Sequence, residues 1–204
     1  DIPYGYEEVK TVERNGRTLH IYENKNALPL GYCYDAAMMI DEFEELPCEE
    51  RQEVLLQRAV VEDQELADMT GGETAQSVVI TGREIPVTKM ELSDGIVYKN
   101  GKLKVKEKNA SVTLYFDGLE NCETYVSLKN LHRKAAGKVW FDITSDSDLY
   151  DISYCYHGDK NAYNTSQEDY IFNLGYTEDK KTFCRISFRK KCTLYLDGFS
   201  VYCQ

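Results

Sequence analysis

Three histidines, His20, His132 and His157, are the entire supply of side chains that ordinarily titrate near neutral pH in this 204-residue chain. They lie far apart, and none sits beside a nucleophile elbow or another local nucleophile motif. The residues therefore predict no Ser-His-Asp or Cys-His centre. A second cluster is acidic: Asp142, Asp146, Asp148 and Asp151 fall within ten residues. Calcium takes about six to eight oxygens, and alternate aspartates could supply some of them. The glycine and closing glutamate of an EF-hand loop are missing, however, and a solvated acidic turn between strands explains the same pattern. No cofactor is implied. The third cluster is aromatic. The single tryptophan, Trp140, precedes a tract in which Tyr154, Tyr156 and Tyr163 flank Asp159 and Asn161. Sugars are held by flat rings with side chains that fork to hydroxyls, so these six residues form a candidate carbohydrate site. Tyrosine is also a favoured strand residue, and strand formation alone accounts for the same composition.

Composition limits the other classes. The net charge is −11, but its distribution is uneven. Through Glu73 there are 6 Lys+Arg against 18 Asp+Glu, and beyond it 18 against 17. An acidic chain without a basic stripe repels phosphate backbones and anionic headgroups, which argues against nucleic acid and against direct peripheral-membrane binding, and no direct membrane insertion by this fragment is expected. The local run Leu103–Lys108 is basic; it reads as an edge strand whose lysines discourage pairing, with a phosphate-binding stripe as the sharper alternative. No apolar run approaches the roughly 18 residues that a spanning helix requires. The chain opens Asp1-Ile2-Pro3 with no leader pattern, so a longer parent is expected. Seven cysteines lack the close pairing of zinc or redox motifs and read as small apolar strand residues, with disulfides as the alternative; the odd count leaves at least one free or bonded between chains.

The elements that would carry these groups divide near residue 72. Residues 1–72 read as a small α+β region: a hairpin from Glu7 to Tyr22 turning at Asn15-Gly16, a helical turn at Asp35–Ile40, another at Ile40–Leu46, and a helix from Pro47 to between Val61 and Glu65 with Leu55, Leu56, Ala59 and Val60 on one face. Asp68–Gly72 reads as a linker. Residues 73–204 are short alternating runs bounded by turn residues, including a second hairpin at Asn100-Gly101. Val112, Leu114 and Phe116 should face inward, as should Val139, Phe141 and Ile143, and Cys184, Ile186 and Phe188. The prediction is a mainly β protein, an antiparallel two-sheet sandwich of jelly-roll type resembling carbohydrate-binding modules.

The run Glu23-Asn24-Lys25-Asn26-Ala27-Leu28-Pro29-Leu30-Gly31-Tyr32, continued by Glu42–Pro47 and Arg51–Val61, resembles the YfhO family of bacterial polytopic membrane proteins. Leu114–Gly118, Thr124–Leu131, Phe172–Gly175 and Leu194–Gly198 are similar to that family's β-rich region. The resemblance implies a soluble extracytoplasmic region that follows membrane helices. It further implies a parent like the lipid-linked-sugar glycosyltransferases of the GT-C type, which decorate cell-envelope polymers such as teichoic acids. The catalytic acid of that class lies on a loop near the first membrane helices, so no residue here inherits a catalytic role. The partners implied are the chain's own membrane domain and a cell-envelope glycan. A structural module that braces the membrane domain is the alternative.

Overall fold

The computed structural model describes residues 2, 5–27, 31, 33–62, 64, 79, 81–134, 137–146, 152–157 and 169–204. The chain divides into two units, Asp1–Glu45 with Leu55–Val78, and Leu46–Val54 with Val79–Gln204. The expected linker at Asp68–Gly72 lies outside the described residues.

In the first unit β1 (Tyr6–Arg14) and β2 (Arg17–Asn24) form the expected hairpin. Asn15 and Gly16 take φ of 54° and 70°, as an Asn-Gly I′ turn requires. Almost every residue of both strands is exposed. β3 (Ala37–Met39) runs into α1 (Ile40–Glu45), the second of the two expected helical turns. The first is not helical, because Ala37–Met39 is extended. The long helix is also corrected. α2 begins as Pro47 predicts but covers only Cys48–Leu55, and Ala59–Val61 is strand β4, parallel to β3. Its expected apolar face does not form, since Leu55 and Leu56 are exposed. Val60 and Val61 are β-branched, lose χ1 freedom in a helix, and find an apolar strand partner in Ala37–Met39.

The second unit contains α2 through Val54 and twelve strands: β5 (Arg83–Ile85), β6 (Val87–Leu92), β7 (Ile96–Lys99), β8 (Lys102–Val105), β9 (Ser111–Phe116), β10 (Cys122–Lys129), β11 (Lys138–Ser145), β12 (Ile152–His157), β13 (Tyr170–Thr177), β14 (Phe183–Phe188), β15 (Cys192–Tyr195) and β16 (Gly198–Cys203). Every pairing among them is antiparallel. One sheet has the order β13-β10-β16-β5, the second β12-β11-β14-β9-β6, and a small third β15-β8-β7. This is the antiparallel sandwich that the alternating pattern predicts.

Period-2 burial is carried through. Val112, Leu114, Val126, Leu128, Val139, Phe141, Ile143, Cys184, Ile186, Phe188, Leu194 and Val201 are all at most 1% exposed and belong to one core. Each large apolar side chain so buried contributes roughly 1.5–3 kcal/mol. Aromatic rings join the two main sheets: Tyr154 of β12 meets Phe172 of β13 edge-on with centroids 4.8 Å apart, and Phe141 of β11 meets Phe172 at 5.6 Å. The second Asn-Gly hairpin also forms, with Asn100 and Gly101 at φ 50° and 70°. The basic run behaves otherwise than expected: β8 is the central strand of its sheet, paired to β15 on one side and β7 on the other, so its lysines protect no edge.

Candidate functional site

β11 and β12 decide where the predicted site residues point. Register pairs Val139 with Tyr156, Phe141 with Tyr154, Trp140 with Cys155, Asp142 with Ser153, and Lys138 with His157. Val139 and Phe141 are core residues, so Tyr154 and Tyr156 share the inward face, whereas Trp140 faces out. Tyr156 is 5% exposed, donates its hydroxyl to Leu131 O at 3.1 Å and packs edge-on against Tyr170. Tyr154 packs against the same core and donates to Asn173 O. Both tyrosines thus offer structural crosslinks between sheets rather than a free ring face, which corrects their assignment to the sugar platform. Tyr163, Asp159 and Asn161 lie outside the described residues, as do Asp148 and Asp151.

Trp140 is 38% exposed and has polar company. Arg189, in the turn after β14, lies over the indole with its guanidinium carbon 5.4 Å from the ring centroid. The same guanidinium forks onto Asp142, with Nε 2.9 Å from Oδ2 and Nη2 2.6 Å from Oδ1. Ser153 donates to Asp142 Oδ1 at 2.8 Å and accepts from Arg189. Hydrogen bonding from Arg189, then from Ser153, holds the Asp142 carboxyl below its usual range. An aromatic surface, a guanidinium, a carboxylate and a hydroxyl therefore meet on one outward strand face, a set suited to sugar hydroxyls.

These contacts also bear on the calcium reading. Asp142 lies within β11 rather than in a loop, and its oxygens are committed to Arg189 and Ser153. Asp146 accepts the amide of Thr182. Among the described residues no cluster of three or more potential ligands forms.

Sequence reading missed Arg189 and Ser153. The signal for Arg189 was its place one step beyond Phe188: an outward position continuing an inward-outward strand. Ser153 could be found only through its cross-strand register with Asp142.

Among the described residues, no helix is long and apolar enough to cross a membrane. No curated protein matches the chain in sequence. Among solved structures, it is similar to a GH115 4-O-methyl-α-glucuronidase with specificity for decorated arabinogalactans, at 17% identity and TM-score 0.38, covering 57% of this chain and 16% of that one. It is likewise similar to a CBM35 from Paenibacillus barcinonensis, at 12% identity and TM-score 0.38 with 61% and 98% covered. A low-affinity xylan-binding module, CBM86 from Roseburia intestinalis, shows 12% identity and TM-score 0.35 with 60% and 92% covered. The family profile described as bacterial membrane protein YfhO matches residues 2–203, and the chain belongs to that family.

Proposed function

We propose that this chain is a non-catalytic extracytoplasmic domain of a polytopic membrane glycosyltransferase, and that it assists glycosylation of cell-envelope polymers such as teichoic acids by binding glycan. The observation that carries the binding reading is the outward cluster of Trp140, Arg189, Asp142 and Ser153, where a partly exposed indole lies beside forked hydrogen-bonding groups. Family membership supports the membrane-bound parent. Chemistry would then belong to the parent's membrane domain, while this domain holds the acceptor.

The test is a calorimetric titration of the chain with neutral envelope-polymer fragments, repeated on Trp140→Ala. Binding that is lost in the variant supports the reading; no binding, or binding unchanged by Trp140→Ala, removes it. The extracytoplasmic side is tested separately. Cys33 is exposed, so a membrane-impermeant maleimide should label it in intact cells that make the parent.

A second reading has its own observation. The β1–β2 hairpin exposes Val9, Leu19 and Ile21 at 54%, 46% and 46%. An apolar ribbon of this kind suits a module that braces the membrane domain without touching sugar. Val9→Lys with Ile21→Lys would then impair the parent in cells while leaving glycan binding intact.

A further inference from the structure

A basic groove of about 530 Å³ opens on the second unit, lined by Lys104, Lys106, Arg133, Lys134, Lys191 and Tyr195, with no carboxylate among its lining residues. It is assembled from three separate segments. β8 presents Lys104 between the inward side chains of Leu103 and Val105, and β15 presents Tyr195. His132 joins the outer side of β15 through a pair of backbone bonds with Tyr195, both 2.9 Å, which brings Arg133 and Lys134 to the groove.

Among the described residues the charges are arranged without ion-pair partners. Lys134 Nζ lies 4.8 Å and Lys102 Nζ 5.8 Å from the Tyr195 ring centroid, and the His132 ring stacks on Tyr195 at 5.3 Å. Tyr195 therefore organises the cations rather than offering a free face. Arg133 donates Nη1 to Gly137 O at 3.0 Å, but its buried Nε has no acceptor. No ion pair joins any groove lysine or Arg133 to a described carboxylate. Lys99 and Lys102 are direct register partners, an arrangement of like charges that costs stability. Edge protection does not explain Lys102 and Lys104, because β8 is paired on both sides. In a chain of net charge −11, the concentration of unpaired cations around one concavity focuses a positive field on it.

We infer that this groove binds a soluble chain bearing phosphate esters, such as a phosphodiester-linked polyol or sugar polymer. Lysines serve phosphate as point charges and arginine as a fork, and several cations around a groove suit repeated charges along a strand. The concave wall suits a chain better than a planar bilayer surface. This inference rests on the proposed function for its polymer class, but the groove shares no lining residue with the Trp140 cluster.

The experiment titrates the chain with short synthetic glycerol-phosphate oligomers, with a neutral oligosaccharide and phosphatidylglycerol vesicles as comparison arms. Expected is binding to the oligomers that weakens as salt rises from about 20 to about 300 mM. The Lys104→Gln/Lys134→Gln variant should lose roughly tenfold or more in affinity, and Lys106→Glu/Lys191→Glu should lose it as well. These side chains line an open groove, and unchanged melting curves would show that the variants fold. No binding to the oligomers, equal binding by folded variants, equal binding of the neutral sugar by Trp140→Ala, in which the indole site is removed, or binding to vesicles alone would each overturn the inference.

Discussion

The Glu53 carboxylate accepts the backbone amide of Gly82 at 2.7 Å through Oε1 and that of Thr81 at 2.6 Å through Oε2. The Thr81 hydroxyl adds a third bond at 3.1 Å. Glu53 is 4% exposed, so one buried side chain fastens α2 to the chain entering β5. Glu53→Ala should cost about 2 kcal/mol or more, because it leaves amide donors without an acceptor. Glu53→Gln should cost less, since it retains one carbonyl acceptor. Urea midpoints of the two variants give the comparison. Gly82→Ala should also destabilise: an added Cβ would lie 2.4 Å from a ring carbon of Tyr202 and 2.8 Å from Glu53 Oε1.

Lys181 is 1% exposed, and its Nζ has no hydrogen-bond partner among the described residues. Burial pushes its ammonium below the ordinary 10.5, against weaker opposition from Asp146. The unfolded chain holds that proton more tightly, so this group contributes stability only as pH rises from the depressed value towards 10.5. Lys181→Met keeps the volume and removes the buried charge, and should stabilise by about 1–3 kcal/mol at neutral pH. The gain should shrink as pH approaches 10, measured by denaturant titration across that range. A gain that is constant with pH would show that the amine is not the cause.

Buried thiols act in the opposite direction. Burial pushes Cys184 up to about 12 and Cys192 up to about 11 from an ordinary 9.0. A raised folded value gives stability that is complete below about pH 9 and is lost as pH climbs through the folded values. Stability should therefore fall between pH 9 and 12, and the fall should be shallower in Cys184→Ala, despite that variant's lower stability at pH 7. Iodoacetamide at pH 8 should label exposed Cys33 quickly. It should reach buried Cys122, Cys184, Cys192 and Cys203 only as the chain unfolds, as read by mass spectrometry.

The legible parts of the fold were those governed by local rules. Asn-Gly turns require positive φ at both central residues, and period-2 alternation fixes which side chains face the core, so both hairpins and the inward rows Val112–Phe116, Val139–Ile143 and Cys184–Phe188 could be read directly. What failed depended on partners distant in sequence. Ala59–Val61 is a strand only because Ala37–Met39 lies beside it. Lys104 is central rather than marginal only because β15, nearly ninety residues later, pairs with β8. The site suffered for the same reason: Tyr154 and Tyr156 alternate with Ser153, Cys155 and His157, a pattern that leaves their facing open, and only the β11–β12 register assigns them to the face opposite Trp140. The carboxylate of Asp142 was noticed in the sequence, whereas the arginine that occupies it stands 47 residues further on.

The Asp142–Arg189 pair separates stability from binding. The two side chains are 40% and 46% exposed, so solvent screens their attraction and the pair should add little to stability. Asp142→Asn keeps the shape but loosens the fork, and at pH 7 should lower the melting temperature by no more than about 3 °C. Because Arg189 holds the Asp142 carboxyl below its ordinary 3.8, this small contribution is present above that pH and is lost as pH falls through the folded value. The acid limb of the wild-type stability curve should therefore be slightly steeper than the variant's. Glycan affinity should respond more strongly, because a freed guanidinium no longer lies fixed over the Trp140 indole. A several-fold loss of affinity with nearly unchanged melting would assign Asp142 to positioning Arg189. Unchanged affinity in Asp142→Asn, alongside lost affinity in Trp140→Ala, would confine the site to the indole.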